Sequence, residues 1–313
     1  MKREELLKKL GFAVPGNKKM RVILHTDAKN EADDQYAILH YLMTPCFDLR
    51  GIVAAHFEAK YPEGHALSGT SVQQSYDEVR KLYDLAKIED VPLYCGAPGP
   101  MHRLSEETWD GVEFIIEEAM RDEDRDLFVV MLGGVTDVAL ALKKRPEIAK
   151  RMTLVWIGGG AYPNGDWEFN LLQDVEAANL LFASEAELWQ IPRSAYGQMV
   201  VSLTELATQV QPCGEIGAYL FRQLVDYNEY MGSGKRTDWP HGESWCIGDS
   251  ATLSVLLQGD NKAYYHYEKA PVIAPDMSYG ERRKGRMIRV YDLIDTRLVW
   301  GDFTAKLRCL YGN

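Results

Sequence analysis

The feature that most limits what this chain can fold into is a repeated order of apolar runs. RVILHT at 21–26 is β-branched and of strand length, and the QYAILHYLM that follows carries the apolar spacing of a helix. The same order recurs in GIVAAH before an amphipathic stretch over 71–86, in VPLYCG before ETWDGVEFIIEEAM, and in LFVVMLGG before VTDVALALKK, and it closes on TLVWIGGG. Strands that are apolar along their whole length are buried on both faces, and the intervening helices supply the covers. The expected class is therefore α/β: a single domain over residues 1–313, with a mostly parallel central sheet covered by helices, a Rossmann-like core and a short helical extension over 1–18. Further helices are expected near 174–183, 204–211, 215–227 and 249–257, and late strands in APVIAP and RMIRVYDLID. No repeat, low-complexity tract or linker interrupts the pattern.

Composition narrows the partners. Lys and Arg number 35 against 46 Asp and Glu, a net charge of −11. That balance argues against a nucleic-acid partner, because neutralising phosphates takes clustered Lys and Arg. Hydrophobic residues at 46% and charged residues at 26% are the mixture of a globular chain. No apolar run approaches the roughly 20 residues that cross a bilayer, so no membrane partner is expected. The five cysteines are widely spaced, odd in number and form no CxxC pair, which excludes a zinc ribbon and disfavours a disulfide framework. The charged start MKREELLKKLGFAVPG lacks the apolar segment of a signal peptide, and a reducing, cytoplasmic setting is expected.

In open α/β sheets ligands bind at the carboxyl ends of the strands, so the residues delivered there carry the function. The first strand delivers Asp27, and the same loop places Asp33 and Asp34 at the start of the next helix. The fourth ends in Leu132-Gly133-Gly134. The fifth ends in Gly158-Gly159-Gly160, followed by a loop holding Asp166, Glu168 and Asn170, and Asp249 opens a late helix in WCIGDSATLS. Singly, each has an ordinary explanation. Asp33 and Asp34 suit the positive end of a helix, Asp249 suits an N-cap, the glycines suit turns, and Glu168 and Asn170 suit a solvated loop. Together they fall at one expected sheet edge, where such carboxylates repel unless a cation sits among them. Oxygen donors without Cys or His favour calcium or magnesium over zinc.

The stretch HTDAKNEADDQYAI resembles the N-terminal signature of nucleoside hydrolases of the inosine-uridine-preferring type, in which an Asp, a short spacer and an Asp-Asp pair precede a helix. LGGVTDVALAL, IGGGAYPNGDWEFNLLQDVEAANLLF and GDSATL are similar to three further segments of that family, in the family's order. The WEFN…DVEAA block is the most specific of them. The resemblance implies hydrolysis of the N-ribosyl bond of a nucleoside or related N-glycoside by direct attack of a calcium-bound water. The transition state would be oxocarbenium-like, with no covalent enzyme intermediate. It implies Ca²⁺ held by the side chains of Asp27, Asp34 and Asp249 and by the carbonyl of Leu132, with Asp27 also the general base. It places Asp33, Asn164, Glu168 and Asn170 on the ribose hydroxyls. A small ribosyl substrate and a homodimer or homotetramer are implied with it.

Departures from the family pattern are as specific as the matches. The family usually has three residues, one a Gly, between its first Asp and the Asp pair; here Ala28, Lys29, Asn30, Glu31 and Ala32 intervene, which gives Asn30 or Glu31 access to the site. Gly248 stands where many members have a His that helps protonate a leaving purine. A longer segment, FEAKYPEGHALSG, follows His56. His56, at a strand end, and His241, in WPHGESW ahead of Asp249, are the candidates for the missing role, whereas His25 and His40 read as packed core. Tyr162, Trp167, Tyr227, Tyr230, Trp239 and Trp245 flank these segments as candidate stacking partners for a flat aglycone. Two alternatives remain at this level. One is a non-catalytic sugar- or nucleoside-binding descendant of the same fold. The other is a magnesium phosphohydrolase with a nucleophilic Asp, against which stands Lys29 where that chemistry needs a second Asp.

Overall fold

The computed structural model describes residues 1–62, 64–105, 108–234 and 242–312. Among the described residues ten strands form: β1 (Met20–Thr26), β2 (Phe47–Ala54), β3 (Leu93–Cys95), β4 (Leu127–Met131), β5 (Thr153–Ile157), β6 (Glu187–Ile191), β7 (Val200–Ser202), β8 (Ser244–Cys246), β9 (Tyr265–Ile273) and β10 (Tyr279–Tyr291). Eight make the central sheet in the order β3-β2-β1-β4-β5-β6-β10-β9, and β7 and β8 form a separate antiparallel pair. Every neighbouring pair in the large sheet is parallel except β10–β9. This is the expected α/β class, a single domain with a mostly parallel sheet between helical layers.

Alternate strand residues enter opposite cores. Leu24, Val130 and Val155 pack on one side of the sheet, while Ile23, Val129 and Leu154 pack on the other. Both sets are fully buried, and each such side chain contributes about 1.5–3 kcal/mol. The sheet order reverses between β1 and β4, so the connections leaving these adjacent strands run to opposite sides and open a crevice at their carboxyl ends.

The helix Asp34–Leu42, which begins at that crevice, is buried along its whole length. Its outer cover is the helix Thr296–Tyr311, in a tail that strand patterning alone was expected to fill. Val299, Phe303, Leu307 and Leu310 repeat at helical spacing and are buried, and Asp295 caps the start by accepting the Leu298 N–H at 2.8 Å. Across the contact, His40 Nε2 lies 2.7 Å from Asp302 Oδ2, and Lys306 Nζ donates to Thr44 Oγ1 at 2.9 Å. The segment expected as a helix at 204–211 is a short turn, Leu203–Glu205, continued by a π-helical turn, Leu206–Val210. Among the described residues no helix is long and apolar enough to cross a membrane, and none of the five cysteines forms a disulfide.

Candidate active site

A pocket at the crevice is lined by Asp27, Glu31, Asp33, Asp34, Glu168 and Asp249, with Asn30, Leu132, Asn170, Phe169 and Tyr196 among their neighbours. Asp27 follows β1 and is 1% exposed, and its Oδ2 is buried with no hydrogen-bond partner. Asp34 opens the next helix and accepts a short hydrogen bond from the Thr26 hydroxyl. Asp33, one residue earlier, accepts the backbone N–H of Asp249 at 3.2 Å. Asp249 lies in the turn Gly248–Ser250 that leads into the helix Ala251–Leu257, and its Oδ2 is likewise buried and unpartnered. Carboxylate oxygens of Asp33, Asp34 and Asp249 all lie within 4.8 Å of one another.

Crowding of buried like charges sets the electrostatics. Burial first, then the charges of Asp34 and Asp33, hold the Asp27 carboxyl well above the usual range. Burial raises Asp33 to about 6, and burial together with the charge of Asp33 raises Asp34 to about 7. Asp249 and Glu31 are pushed up by burial and then by Asp33 and Asp34. A divalent cation removes this repulsion, and an all-oxygen donor set suits a hard one.

The far wall comes from the segment after β5. Glu168 caps the helix Phe169–Gln173, accepting from Asn170 N at 3.1 Å and Leu171 N at 2.9 Å. It also accepts from Gly159 N and from the Tyr196 hydroxyl, each at 2.8 Å, so this carboxylate orders the corner as well as facing the pocket. Asn170 Nδ2 donates to the carbonyls of Leu132 at 2.8 Å and Ile157 at 3.0 Å, tying β4 and β5 together at their ends. The first loop is braced from three directions: Trp245 Nε1 donates to Glu31 Oε1 at 3.1 Å, Tyr227 Oη to Asn30 O at 3.3 Å, and Lys60 Nζ to the same carbonyl at 2.5 Å.

Two expected site residues lie elsewhere. His56 is buried behind the pocket, with Nε2 at 2.9 Å from Thr136 Oγ1, and Thr136 in turn donates to Asp174 Oδ2 at 2.8 Å. The Thr136 hydroxyl proton is committed to Asp174, so His56 carries its own proton on Nε2, while Nδ1 accepts the Glu58 N–H at 3.4 Å. Burial lowers its pKa and keeps it neutral. It anchors the inserted segment, in which Glu58 accepts from Ser71 and pairs with His65, rather than serving a ligand. Asn164 is exposed, outside the pocket, and its carbonyl accepts the Tyr279 N–H at 2.7 Å. His241 and Trp239 lie outside the described residues. Of the candidate aromatics, Tyr227 and Trp245 back the first loop edge-on to each other, whereas Trp167 and Tyr230 are exposed. Tyr196 and Phe169 line the pocket without any pattern that marks them in sequence; Tyr196 ends a four-residue helix, Arg193–Tyr196. A larger cleft at the amino ends of the strands contains Arg21, whose charge is met by Glu118 at 3.2 Å, and no carboxylate cluster able to hold a metal was found there among the described residues.

A parallel α/β sheet that gathers an all-oxygen acidic cluster where its strand order reverses has the architecture of a metal-assisted hydrolase. The family model described as inosine-uridine preferring nucleoside hydrolase matches residues 22–301, and the chain belongs to that family, whose members are N-glycosidases that hydrolyse N-ribosyl bonds. A curated relative, the pyrimidine-specific ribonucleoside hydrolase RihB of Escherichia coli K12, is 25% identical over 239 residues, covering 67% of this chain and 70% of its own. Among solved structures, the plant nucleoside hydrolase PpNRh1 aligns with a TM-score of 0.72 at 18% identity, over 92% of this chain and 98% of its own. The purine-preferring ribonucleoside hydrolase of Gardnerella vaginalis also reaches 0.72, at 22% identity over 93% and 99%. The type III effector XopQ, solved with adenosine diphosphate ribose, reaches 0.68 at 15% identity over 99% of both chains. The structural likenesses establish the shared fold.

Proposed function

We propose that this chain is a calcium-dependent ribonucleoside hydrolase that cleaves the N-ribosyl bond of a small substrate with water. The observation that carries the proposal is the pair of buried, unpartnered carboxylate oxygens, Asp27 Oδ2 and Asp249 Oδ2, in a pocket already crowded with carboxylates. Buried charges without partners are costly, and a cation among them is the physical remedy. Asp34 and Asp249, with Asp33 beside them, already bring carboxylate oxygens within 4.8 Å of one another, and Asp27 and the Leu132 carbonyl, which line the same pocket, would complete the shell. Calcium suits so many oxygens in an irregular cage better than magnesium, which demands near-ideal octahedral geometry. Bound there, the ion would lower the pKa of a water and supply positive charge to the sugar hydroxyls.

The chain's own groups do the rest. Asp27, at the end of a rigid strand, takes the proton of the attacking water. Asp33 and Glu168 accept hydrogen bonds from sugar hydroxyls, and Asn170 Oδ1 adds a neutral acceptor. Their negative field stabilises the positive charge that develops at the anomeric carbon. The pocket rests on the ends of β1, β4 and β5 and on three helix starts, so it holds sugar and water together at little further entropic cost. The test is a panel of ribonucleosides assayed for reducing sugar in calcium and after chelation. Turnover that calcium restores supports the proposal. Binding without product from any ribosyl compound would favour a non-catalytic descendant instead.

A further inference from the structure

Six carboxylates line the pocket, and among the described residues no lysine, arginine or histidine lines it. A divalent cation offsets two of these charges. Lys60, held on Asn30 O and over the rings of Phe57 and Tyr227, offsets part of a third. With the cation bound, which would relieve the repulsion that raises these carboxyls, the remaining negative charge would face the ligand.

Glu31 is the carboxylate that neither metal nor ribose accounts for. It arrives on the lengthened loop 28–32, and Trp245, itself buried, pins its Oε1. The aromatic rings of Phe169 and Tyr196 line the same pocket. Tyr196 also occupies the space beside Gly248: a Cβ at that position would come within 2.7 Å of its ring, so a side chain there is excluded unless Tyr196 moves. Position 248 thus offers no side chain as an acid for the leaving group, and among the described residues the only charged groups lining the pocket are carboxylates.

We infer that the aglycone is a cation, and that the chain hydrolyses N-ribosyl compounds of pyridinium-type bases with Glu31 as a specificity-determining residue. The inference rests on the hydrolase reading above. When the C1′–N bond of such a compound breaks, both bonding electrons go to the ring nitrogen, which passes from cationic to neutral and leaves without needing a proton. Water forms the new C1′–O bond, and its surplus proton passes through Asp27 to solvent, one per turnover. A pocket that shares a carboxylate and aromatic rings in its lining is a favourable setting for a flat organic cation. Because the positive charge moves from the base to the sugar during reaction, Glu31 acts mainly on binding.

The experiment compares kcat/KM for N-ribosylnicotinamide, uridine and inosine in the full chain with calcium, for the wild type, Glu31→Gln and Lys60→Met. The cation is expected to be preferred by about tenfold or more; Glu31→Gln lowers that preference about tenfold, chiefly through KM, and Lys60→Met raises it. Glu31→Gln keeps the Trp245 hydrogen bond, and an unchanged calcium-induced thermal shift reports its intact fold. A wild type that prefers the neutral nucleosides, or a preference that Glu31→Gln leaves unchanged, overturns this inference and spares the hydrolase reading. Turnover of none of the three overturns both.

Discussion

Asp33 Oδ2 accepts the backbone N–H of Asp249 at 3.2 Å across 216 residues of sequence. That bond registers the start of the helix Asp34–Leu42 against the turn Gly248–Ser250, so the two halves of the acidic cluster are joined by the protein before any ion binds. The cluster then holds like charges that the fold tolerates at a cost. Replacing Asp249 or Asp34 with Asn removes one of them while keeping the shape. In chelator, each variant is expected to be more stable than wild type by about 1–3 kcal/mol, because a buried repulsion is relieved. In calcium the order inverts, and turnover falls by about a thousandfold as an ion ligand is lost. Calorimetry with and without calcium checks both signs, and a variant that is destabilised in chelator would refute the repulsion.

The same cluster dictates how the metal-free protein responds to pH. Burial raises Asp33 from 3.8 to about 6, and burial with the charge of Asp33 raises Asp34 from 3.8 to about 7. A carboxyl raised on folding keeps a proton that the unfolded chain has released. Its favourable contribution is therefore complete below the unfolded pKa and is lost as pH climbs through the folded one. Tm in chelator is expected to fall between about pH 4 and about pH 7, and the Tm gain on adding calcium is expected to be larger at the upper end. A calcium shift that shrinks with rising pH would contradict the assignment.

Much of this site is legible in sequence because strand ends are local features. Asp27 and Leu132 fall just past apolar runs, and Glu168 and Asn170 just past a glycine stop. Tyr196 is different. It stands on a single helical turn after the five-residue β6, and it reaches the pocket through β6 lying beside β5, a long-range pairing with no local signature. His56 shows the converse: a strand-end position is visible, but the direction of its ring, toward Thr136 and away from the pocket, is settled by packing. The C-terminal helix is hidden for a further reason. Its apolar residues are interrupted by Gly301 and Asp302, and Asp302 makes sense only once His40 and Lys306 are seen to meet it.

That meeting carries a prediction of opposite pH sign. Burial lowers His40 to about 4, and its bond to His40 and the charge of Lys306 hold Asp302 below the usual carboxylate range. Both groups are depressed on folding, so the unfolded chain takes up more protons, and stability is lost as pH falls from about 6.5 toward 4, chiefly through the burial of His40, which the bond to Asp302 only partly offsets. Asp302→Asn is expected to cost about 1–3 kcal/mol at neutral pH, leaving Lys306 buried without its charged partner, and to steepen the acid side of the stability curve, because Asp302 is the group that holds the His40 pKa up against burial. Urea melts at several pH values test it, and an unaltered acid limb would show that the contact contributes nothing there.

Gly133 offers the most direct probe of how Asp27 is placed. A Cβ built on it would lie 2.5 Å from Asp27 Cγ, so an alanine cannot be accommodated without moving the carboxylate. The backbone there is also held, since Trp156 Nε1 donates to the Gly133 carbonyl at 3.0 Å, and the strain falls on the side chain of Asp27. Gly134→Ala is the matched control: its Cβ would meet Gln173 Cβ at 2.7 Å and has no contact with Asp27. Gly133→Ala is expected to lower kcat by about a hundredfold, the scale of an ångström misplacement of a catalytic group, while Gly134→Ala acts mainly on stability. Measuring kcat and Tm for the pair separates the two effects. Should Gly133→Ala retain wild-type kcat, the general base is a residue other than Asp27.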